Sequence, residues 1–485
     1  MITSGKFKAI LKINSYLLAL YSVTFIIPIF VAIYEGDGES AAYFKSFVIS
    51  LLLSLVTYYL TKNNKAQLGT KDGYLVVLIF WVVFSLFSML PMVMLKSIDI
   101  SITDALFESI SGITTTGATI LSDVTNAPKS LLYYRAQLNF FGGLGIIVLA
   151  IAVLPFIGVG GMLAQTEMPG PMKDEKMTPR IVDTAKSLWV VYCALTLACI
   201  ASFKAVGMGW FDAICHAFAT ISLGGFSTYT ESVAYFNSAG VELVAGVFSI
   251  LAGINFALYF IAFQRRNLKV ISRNAEFRLF ILVCACVIAY TVWGLYRSGT
   301  FELWPAFYHG FFQSMSVMTD NGLGTAGYPD WPVDVTFLLI GASFFGGCVG
   351  STCGGIKALR ILVLIAQSVK EVKLLIHPRS VVSLKMSGKP IHDRQGLAVL
   401  GFFFLYVMMT MIFIFLLTTF GETLDTAIGS TAGCINNMGI GYGASGSNFS
   451  GLKEPSKYVM MLAMLFGRLE IFPFLVLMSP AYWRN

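Results

Sequence analysis

The chain has 485 residues, of which 56% are hydrophobic and 12% are charged, and its formal net charge is +7. A water-soluble domain of this size cannot bury so much apolar surface, so the composition excludes an ordinary soluble protein and predicts an all-α membrane protein. In such a protein the excess of lysine and arginine reflects topology, so we expect no nucleic-acid partner.

Apolar runs of roughly 20 residues, long enough to cross a lipid bilayer as a helix, recur along the chain. The first has no signal-peptidase site and leads into an acidic loop, so we expect it to remain as a span. Ten candidate spans follow in chain order: about 13–34, 42–61, 73–95, 131–158, 184–206, 238–263, 275–296, 334–367, 393–420 and 456–481. Lysines and arginines concentrate in alternate loops, including Lys173, Lys176 and the stretch 370–394. The positive-inside rule therefore places these loops and both termini in the cytoplasm.

Four short segments on the predicted outer side align when one glycine in each is used as an anchor: Gly117, Gly225, Gly322 and Gly439. We call them anchor loops 1 to 4. Three residues before each anchor the side chain is polar: Thr114, Ser222, Thr319 and Asn436. Four residues before it the side chain is apolar (Ile113, Ile221, Met318 and Ile435), and six residues before it the side chain is small (Ser111, Ala219, Ser316 and Gly433). Eleven residues before it the side chain is apolar again: Leu106, Ile214, Phe311 and Ile428. Chance glycines in ordinary loops are the alternative, which four matching columns make less plausible.

Each such segment is too short to cross the bilayer as a helix, but it can enter as a half-helix and return as an extended loop. The predicted unit is a span, a pore half-helix, a filter loop and a second span, repeated four times around a central pore. Residues 1–70 then form two extra N-terminal helices, and 71–165, 166–270, 271–385 and 386–485 form pore repeats 1 to 4, the third with an interrupted second helix.

This arrangement suits a dehydrated potassium ion, because main-chain carbonyls can replace its water shell without the trapping strength of carboxylates. A glycine at each anchor permits backbone conformations that a Cβ disfavours. We assign the coordinating carbonyls to three residues in each loop: Thr115, Thr116 and Gly117; Leu223, Gly224 and Gly225; Asp320, Asn321 and Gly322; Asn437, Met438 and Gly439.

Charges near the loops would add to this attraction. The C-terminal ends of the half-helices present negative dipole ends to a cation below the filter. Acidic residues on the outer side would raise the local cation concentration: Asp104, Asp123, Asp212, Asp320 and Glu422. Only Asp320 is close enough to an anchor for us to expect a direct role.

Two features within the apolar runs point to a gate. The run from about 334 to 367 is too long for one span, and residues 346–355, the glycine-rich segment, hold five glycines in ten positions. Such a segment cannot keep a regular helix, so it is either a gate lining a cavity or a helix-packing site of small residues. The candidate gating residues are Gly346, Gly347, Gly350, Ser351, Thr352, Gly354 and Gly355.

The second feature is Arg468, which we expect in the middle of the last span. A charge at bilayer depth is costly and normally faces a cavity or a partner. Arg468 would therefore either face the ion path, where it opposes cations, or pair with a carboxylate such as Glu470.

Several of these motifs resemble the superfamily of bacterial Trk and Ktr membrane subunits and of plant and fungal HKT and Trk potassium transporters. They are Thr114-Thr-Thr-Gly117, Leu223-Gly-Gly-Phe-Ser227, Asn436-Asn-Met-Gly439 and Gly350-Ser-Thr-Cys-Gly-Gly-Ile-Lys357. The two extra N-terminal spans and Arg468 make the TrkH-type subunit the most similar branch. The resemblance covers nearly the whole chain.

The resemblance implies potassium as the transported ion, no organic cofactor in this chain, and a location in the bacterial inner membrane. It also implies glycines at the four filter positions, a gating loop at 346–355 and an arginine, Arg468, beneath the filter. The implied partners are a second copy of the chain, with one pore in each protomer, and a cytosolic nucleotide-binding ring of RCK domains. The basic loop 370–394 could bind that ring or acidic lipid.

Two other functions compete with this interpretation. A proton- or sodium-coupled cation symporter also uses broken helices and repeats, although usually as two inverted halves. An enzyme is disfavoured, because the four histidines are scattered and no carboxylate pair or nucleophile motif is present. The eight cysteines lie mostly in apolar stretches without zinc-site spacing, so we interpret them as small core residues.

Overall fold

The structure is a computed structural model that describes residues 4–64, 66, 68–148, 180–380, 385–386, 389–390 and 393–483. Its regular elements are helices, apart from one antiparallel pair of two-residue strands, β1 (Lys385–Met386) and β2 (Lys389–Pro390). The predicted all-α class is therefore confirmed. Within the described ranges, six helices are long and apolar enough to cross a membrane, or seven if one bent pair counts as a span.

The first four helices are α1 (Ser4–Val23), α2 (Ile26–Glu35), α3 (Ser40–Thr61) and α4 (Thr70–Met94). Helices α1 and α2 together are long and apolar enough for a single span, and α1 packs against both α3 and α4. An aromatic cluster around Tyr21 joins this group to the rest of the protein, since the Tyr134 ring packs on Phe25 and Tyr43.

The remaining helices differ widely in length. They are α5 (Ile102–Ile113), α6 (Lys129–Val148), α7 (Arg180–Ala205), α8 (Trp210–Ser222), α9 (Ala239–Gly253), α10 (Phe256–Gln264), α11 (Lys269–Ser272), α12 (Ala275–Arg297), α13 (Leu303–Met318), α14 (Val333–Ser343), α15 (Ala358–Ile376), α16 (Asp393–Thr419), α17 (Leu424–Ile435), α18 (Glu454–Arg468), α19 (Phe472–Met478) and α20 (Pro480–Trp483). Short 3₁₀ turns lie at Ser232–Phe236, Tyr328–Asp330 and Gly443–Ser445.

The four helices that precede the anchor loops, α5, α8, α13 and α17, lie inside the protein. Each packs on the helix before it and the helix after it in the chain. Each also packs on the helix that follows the previous short helix: α8 on α6, α13 on α9, α17 on α14, and α5 on α18. The last of these contacts joins the two ends of the series, so the four short helices and their neighbours form a closed ring.

Three predicted spans are broken. The run 238–263 divides into α9 and α10, which meet at a bend of 82° at Ile254 and Asn255. The run 334–367 divides into α14 and α15, with residues 344–357 outside any helix. The last run stops at Arg468, and the chain then passes through two left-handed residues, Glu470 (φ 56°) and Ile471 (φ 59°), before α19 begins.

The first and third breaks correct the sequence prediction of continuous helices there. In the first, Asn255 accepts the Ala257 amide at 2.8 Å and so caps α10. The free amide of Phe256 donates to the Gly350 carbonyl at 3.0 Å. The broken backbone is therefore satisfied by the glycine-rich segment, which is a contact that hydropathy does not encode.

Some predictions fall on residues that the structure does not describe. Helix α6 is described as far as Val148, and the rest of the predicted span 131–158 lies outside the described residues. The same holds for Lys173, Lys176, the predicted boundary at 165–166, and parts of the basic loop 370–394.

Candidate functional site

The four anchor loops share one backbone conformation, in which the chain passes twice through the left-handed region. The anchor glycines have φ of 80°, 71°, 78° and 78° in chain order, and the residues two positions earlier have φ of 53°, 54°, 61° and 55°. Those earlier residues are Thr115, Leu223, Asp320 and Asn437, whose Cβ atoms make this conformation costly. Such a cost at four equivalent positions indicates that tertiary contacts impose the geometry, as often happens at functional sites.

A shared hydrogen bond sets where each loop leaves its short helix. In each loop the backbone amide of the residue just before the anchor donates to the carbonyl of the residue six positions before the anchor. The four bonds are Thr116 to Ser111 at 2.8 Å, Gly224 to Ala219 at 2.9 Å, Asn321 to Ser316 at 2.7 Å and Met438 to Gly433 at 2.8 Å. The acceptors are the four residues of the column that the sequence alignment found to be small. All four helices therefore end at the same point relative to their anchors.

The anchors lie close to the neighbouring loops. A Cβ added at Gly225 would stand 2.6 Å from the carbonyl oxygen of Asn321, in the next loop. At the other anchors it would stand closer still to the equivalent carbonyl: Gly117 to Gly224, Gly322 to Met438, and Gly439 to Thr116. The last pair joins loop 4 to loop 1, so the four loops close a ring in which only glycine fits at the anchors.

A cavity of about 460 Å³ opens on one side of this ring. It is lined by all four anchor glycines and by residues that follow them in the loops, such as Phe226 and Thr325. The glycine-rich segment lies on the other side, where the short helices end. There the Thr352 hydroxyl donates to the Ile221 carbonyl at 3.0 Å, next to the C-terminus of α8. The ring thus separates an open cavity from a closed face.

Polar side chains brace the loops against the surrounding helices. The Asn321 side-chain amide donates to Ser249 Oγ on α9 at 2.8 Å, and that of Asn436 donates to Ser343 Oγ on α14 at 2.7 Å. The Asn437 side-chain amide donates to Thr116 Oγ1 at 2.9 Å, which links loops 4 and 1. These contacts join side chains and do not use the loop carbonyls.

A further column was missed in the sequence and is evident in the structure. The residue nine positions before each anchor is polar and fully buried: Glu108, His216, Gln313 and Ser430. Each one binds the chain beyond its own anchor: Glu108 accepts the Ile120 amide at 3.0 Å, His216 Nε2 lies 3.0 Å from Ser227 Oγ, Gln313 accepts the Thr325 amide at 3.0 Å, and Ser430 lies 2.8 Å from Ser445. A polar residue in the same column of all four short helices was the available signal.

The outer acidic residues have structural partners. Asp104 pairs with Lys457 at 2.6 Å, Asp212 accepts the Thr228 hydroxyl at 2.7 Å, and Glu422 accepts the Lys453 amide at 2.9 Å. Asp123 is exposed, and hydrogen bonds from the Asn126 side chain and amide lower the pKa of its carboxyl. Within the described residues, none of these four carboxylates lines the cavity.

Asp320 differs from them, because its side chain is fully buried. It stands in loop 3 itself, two residues before the anchor Gly322, at a left-handed φ of 61°.

The glycine-rich segment is held by contacts from several helices. The Val349 amide donates to Glu276 Oε1 on α12 at 2.6 Å, and the Cys348 amide donates to the Gly253 carbonyl at 2.9 Å. A Cβ at Gly354 would overlap the carbonyl of Asn436 in loop 4. The segment therefore lies against the end of α17 and next to α8, and its candidate gating residues all belong to this one stretch.

Arg468 reaches the same place from the end of α18. Its guanidinium donates to the Gly142 carbonyl at 2.8 Å and to the Thr352 carbonyl at 3.2 Å, so it connects α6 with the glycine-rich segment. Glu470, the carboxylate suggested as its partner, forms an ion pair with Arg360. Arg468 ends its helix, because the chain turns sharply after it.

Comparison with known proteins places this arrangement among cation transporters. The family described as TrkH, a cation transport protein, matches residues 39–485. The Trk system potassium uptake protein TrkG of Escherichia coli strain K12 is 46% identical over 471 residues, 97% of each chain. The Trk system potassium uptake protein TrkH of Vibrio parahaemolyticus is 40% identical over 484 residues, 99% of this chain and 100% of that protein.

The likeness extends to three dimensions. The crystal structure of the potassium transporter TrkH from Vibrio parahaemolyticus matches with a TM-score of 0.91, at 39% identity, over 99% of this chain and 100% of the other.

Proposed function

This chain belongs to the TrkH family of cation transport proteins, and on that premise we propose that it takes up potassium across the bacterial cytoplasmic membrane. Transport runs through a channel-like pore whose selectivity filter is the ring of anchor-loop carbonyls. The observation that carries this proposal is the ring itself: four loops with one repeated backbone conformation, each anchor packed on the next loop. The protein is a transporter and not an enzyme.

The filter residues are those assigned from the sequence, from Thr115 to Gly117, Leu223 to Gly225, Asp320 to Gly322 and Asn437 to Gly439. A potassium ion that loses its water shell needs several oxygen ligands at fixed distances. The bracing side chains described above bind other groups and leave carbonyl oxygens available. The dipoles of α5, α8, α13 and α17 place negative ends on the side of the glycine-rich segment, where a cation leaving the filter would arrive.

We propose that the glycine-rich segment is the gate. It lies across the face of the ring opposite the cavity, and the positive φ of Gly346, Gly350 and Gly355 gives it a backbone that can rearrange without a Cβ penalty. Arg468 would hold it there through the Thr352 carbonyl and would oppose cations electrostatically. Movement of the segment away from the ring would open the path.

Control by a cytosolic nucleotide-binding RCK ring and assembly as a homodimer are part of the same proposal, as is the cytoplasmic location of both termini. Helix α15 begins beside the glycine-rich segment and ends at Ile376, within the basic stretch 370–394. Its Val372, Leu375 and Ile376 are exposed apolar side chains that a partner could cover. A partner bound to α15 would therefore pull directly on the proposed gate.

Potassium uptake by a transport-deficient bacterial host, with and without competing sodium and rubidium, tests the substrate. We expect the chain to restore growth at low potassium, with potassium preferred over sodium. Equal uptake of both ions would contradict the filter assignment.

Recording from purified protein in planar bilayers separates the channel from the coupled symporter. Discrete unitary potassium currents that reverse at the potassium equilibrium potential support the channel. A flux that stops when the proton or sodium gradient is removed would favour the symporter instead.

A further inference from the structure

We propose that a buried ion pair, Arg135 with Glu108, positions anchor loops 1 and 2 relative to each other and thereby sets ion selectivity. This inference rests on the proposed function, because it assumes that the loop carbonyls are the filter. Neither residue belongs to the filter or to the glycine-rich segment.

The arginine spans the gap between the two loops. Arg135, on α6, donates from Nε to Glu108 Oε1 at 2.7 Å, from Nη1 to the Ser227 carbonyl at 3.0 Å, and from Nη2 to Thr119 Oγ1 at 3.0 Å. Thr119 and Ser227 are each two residues beyond their anchors, Gly117 and Gly225. One rigid guanidinium therefore holds equivalent points of two filter loops, which a lysine ammonium could not do in the same geometry.

The Glu108 carboxylate completes the arrangement on the side of loop 1, and we call the two residues together the clamp. Glu108 Oε2 accepts the Ile120 amide at 3.0 Å, and Oε1 accepts the Thr119 hydroxyl at 2.9 Å. The guanidinium also lies 4.1 Å from the centre of the Phe226 ring in loop 2. Every one of these partners belongs to α5, loop 1 or loop 2, so Arg135 connects both loops and α5 to its own helix, α6.

The burial of this pair makes a purely stabilising role an incomplete explanation. Arg135 is 1% exposed and Glu108 is fully buried. Removing two charges from water costs several kcal/mol, and well-packed apolar residues can often replace such a pair without loss of stability. Charge-assisted hydrogen bonds are short and directional, so what they add here is a fixed distance between two loops.

Other side chains bind loops 3 and 4. Gln313 binds the Thr325 amide in loop 3, and Ser430 binds Ser445 after loop 4. His309 Nδ1 lies 2.9 Å from Glu242 and 2.8 Å from Thr325. Arg135 is thus a charged link between loops 1 and 2, and it also lines the cavity beside them.

The test is the ratio of potassium to sodium flux in Arg135→Lys, Arg135→Gln and Glu108→Gln, measured by isotope uptake into proteoliposomes. A ratio cancels differences in expression and reconstitution, so a merely structural role would not change it in correctly folded protein. We expect the ratio to fall about tenfold in Arg135→Lys. Lysine keeps the positive charge but lacks the planar guanidinium, so it loses some of the charge-assisted hydrogen bonds.

Arg135→Gln and Glu108→Gln should reduce the ratio at least as much, since each leaves a buried charge without its partner. Arg135→Lys keeps the test decisive if either fails to give a single peak on gel filtration. The matched control is Asp104→Asn. Asp104 lies on the first turn of the same helix, α5, away from the cavity, and the substitution removes its ion pair with Lys457. Its ratio should equal that of the unmodified protein.

An unchanged ratio in folded Arg135→Lys would overturn the clamp. That result differs from failure of the proposed function, in which the unmodified protein itself would show no preference for potassium.

Discussion

The ring of anchor loops and the glycine-rich segment are both rich in glycine and both buried, but they are built differently. The ring repeats one conformation four times, and each loop has the same backbone hydrogen bond and a polar brace. The glycine-rich segment occurs once, and the contacts described for it come from α8, α9, α10, α12, α17 and Arg468 without any repeat. Four equivalent, braced loops suit a function that requires fixed distances, while a single segment with separate attachments suits one that requires movement.

A Cβ in the ring should have the largest effect. We expect Gly322→Ala to reduce the preference for potassium over sodium by about tenfold to a hundredfold, because the methyl group overlaps the Met438 carbonyl and overpacking costs about 1–3 kcal/mol. Competitive uptake of labelled potassium against sodium measures this.

Gly401→Ala provides the control for that substitution, because a Cβ at this exposed position in α16 meets no neighbouring atom within 4 Å. A normal potassium preference in Gly322→Ala would separate selectivity from the ring.

The next largest effect should come from Arg468→Ala. Its two carbonyl contacts connect the glycine-rich segment with α6, and a hydrogen bond from a charged group contributes about 1.5–3 kcal/mol. We expect open probability or conductance to rise about tenfold in bilayer recordings, with the potassium preference unchanged.

Arg297→Ala is the control for that substitution. Arg297 is exposed at the end of α12 and pairs with Asp334, and its removal should leave the current unchanged. If the current of Arg468→Ala also stays the same, Arg468 has a structural role only.

Substitution of Gly350, a residue of the glycine-rich segment that does not touch the ring, should change gating in the same way but by a smaller amount. In Gly350→Ala, the Cβ would stand 2.9 Å from Asn255 Oδ1 at a φ of 79°. The left-handed conformation costs an alanine about 1–2 kcal/mol, so we expect the gating equilibrium to shift about fivefold or more with unchanged selectivity. A loss of potassium preference in this variant would blur the distinction between the two regions.

The smallest effect should come from the exposed carboxylates. Asp123 bonds to Asn126, does not line the cavity, and its lowered pKa keeps it charged well below neutral pH. At physiological salt its field is largely screened, so Asp123→Asn should change the apparent potassium affinity by less than about twofold. A larger change in the concentration for half-maximal uptake would restore the role in attracting cations that the sequence suggested.

Much of this arrangement was available from local patterns. Hydropathy gave the membrane class, and the alignment on Gly117, Gly225, Gly322 and Gly439 identified the loops that the structure brings together. A glycine-rich run of ten residues also predicted an interruption between α14 and α15. These features depend on backbone conformation and on neighbours close in the chain, which is the information that spacing and residue type carry.

Other features depend on residues far apart in the chain. The sequence did not indicate that Arg135 bridges Glu108 and Ser227, or that Arg468 ends a helix beside Gly142. Nor did it indicate that the Phe256 amide, at the bend between α9 and α10, donates to the Gly350 carbonyl.

The sequence by itself determined a helical membrane protein with four glycine-anchored loops, because apolar length and tolerance of positive φ are properties of short segments. Only the tertiary structure decided the order of the loops around the ring, which polar side chains brace them, and which face the glycine-rich segment covers. Those depend on packing between residues often a hundred or more positions apart, where buried polar groups must find partners that no local pattern specifies.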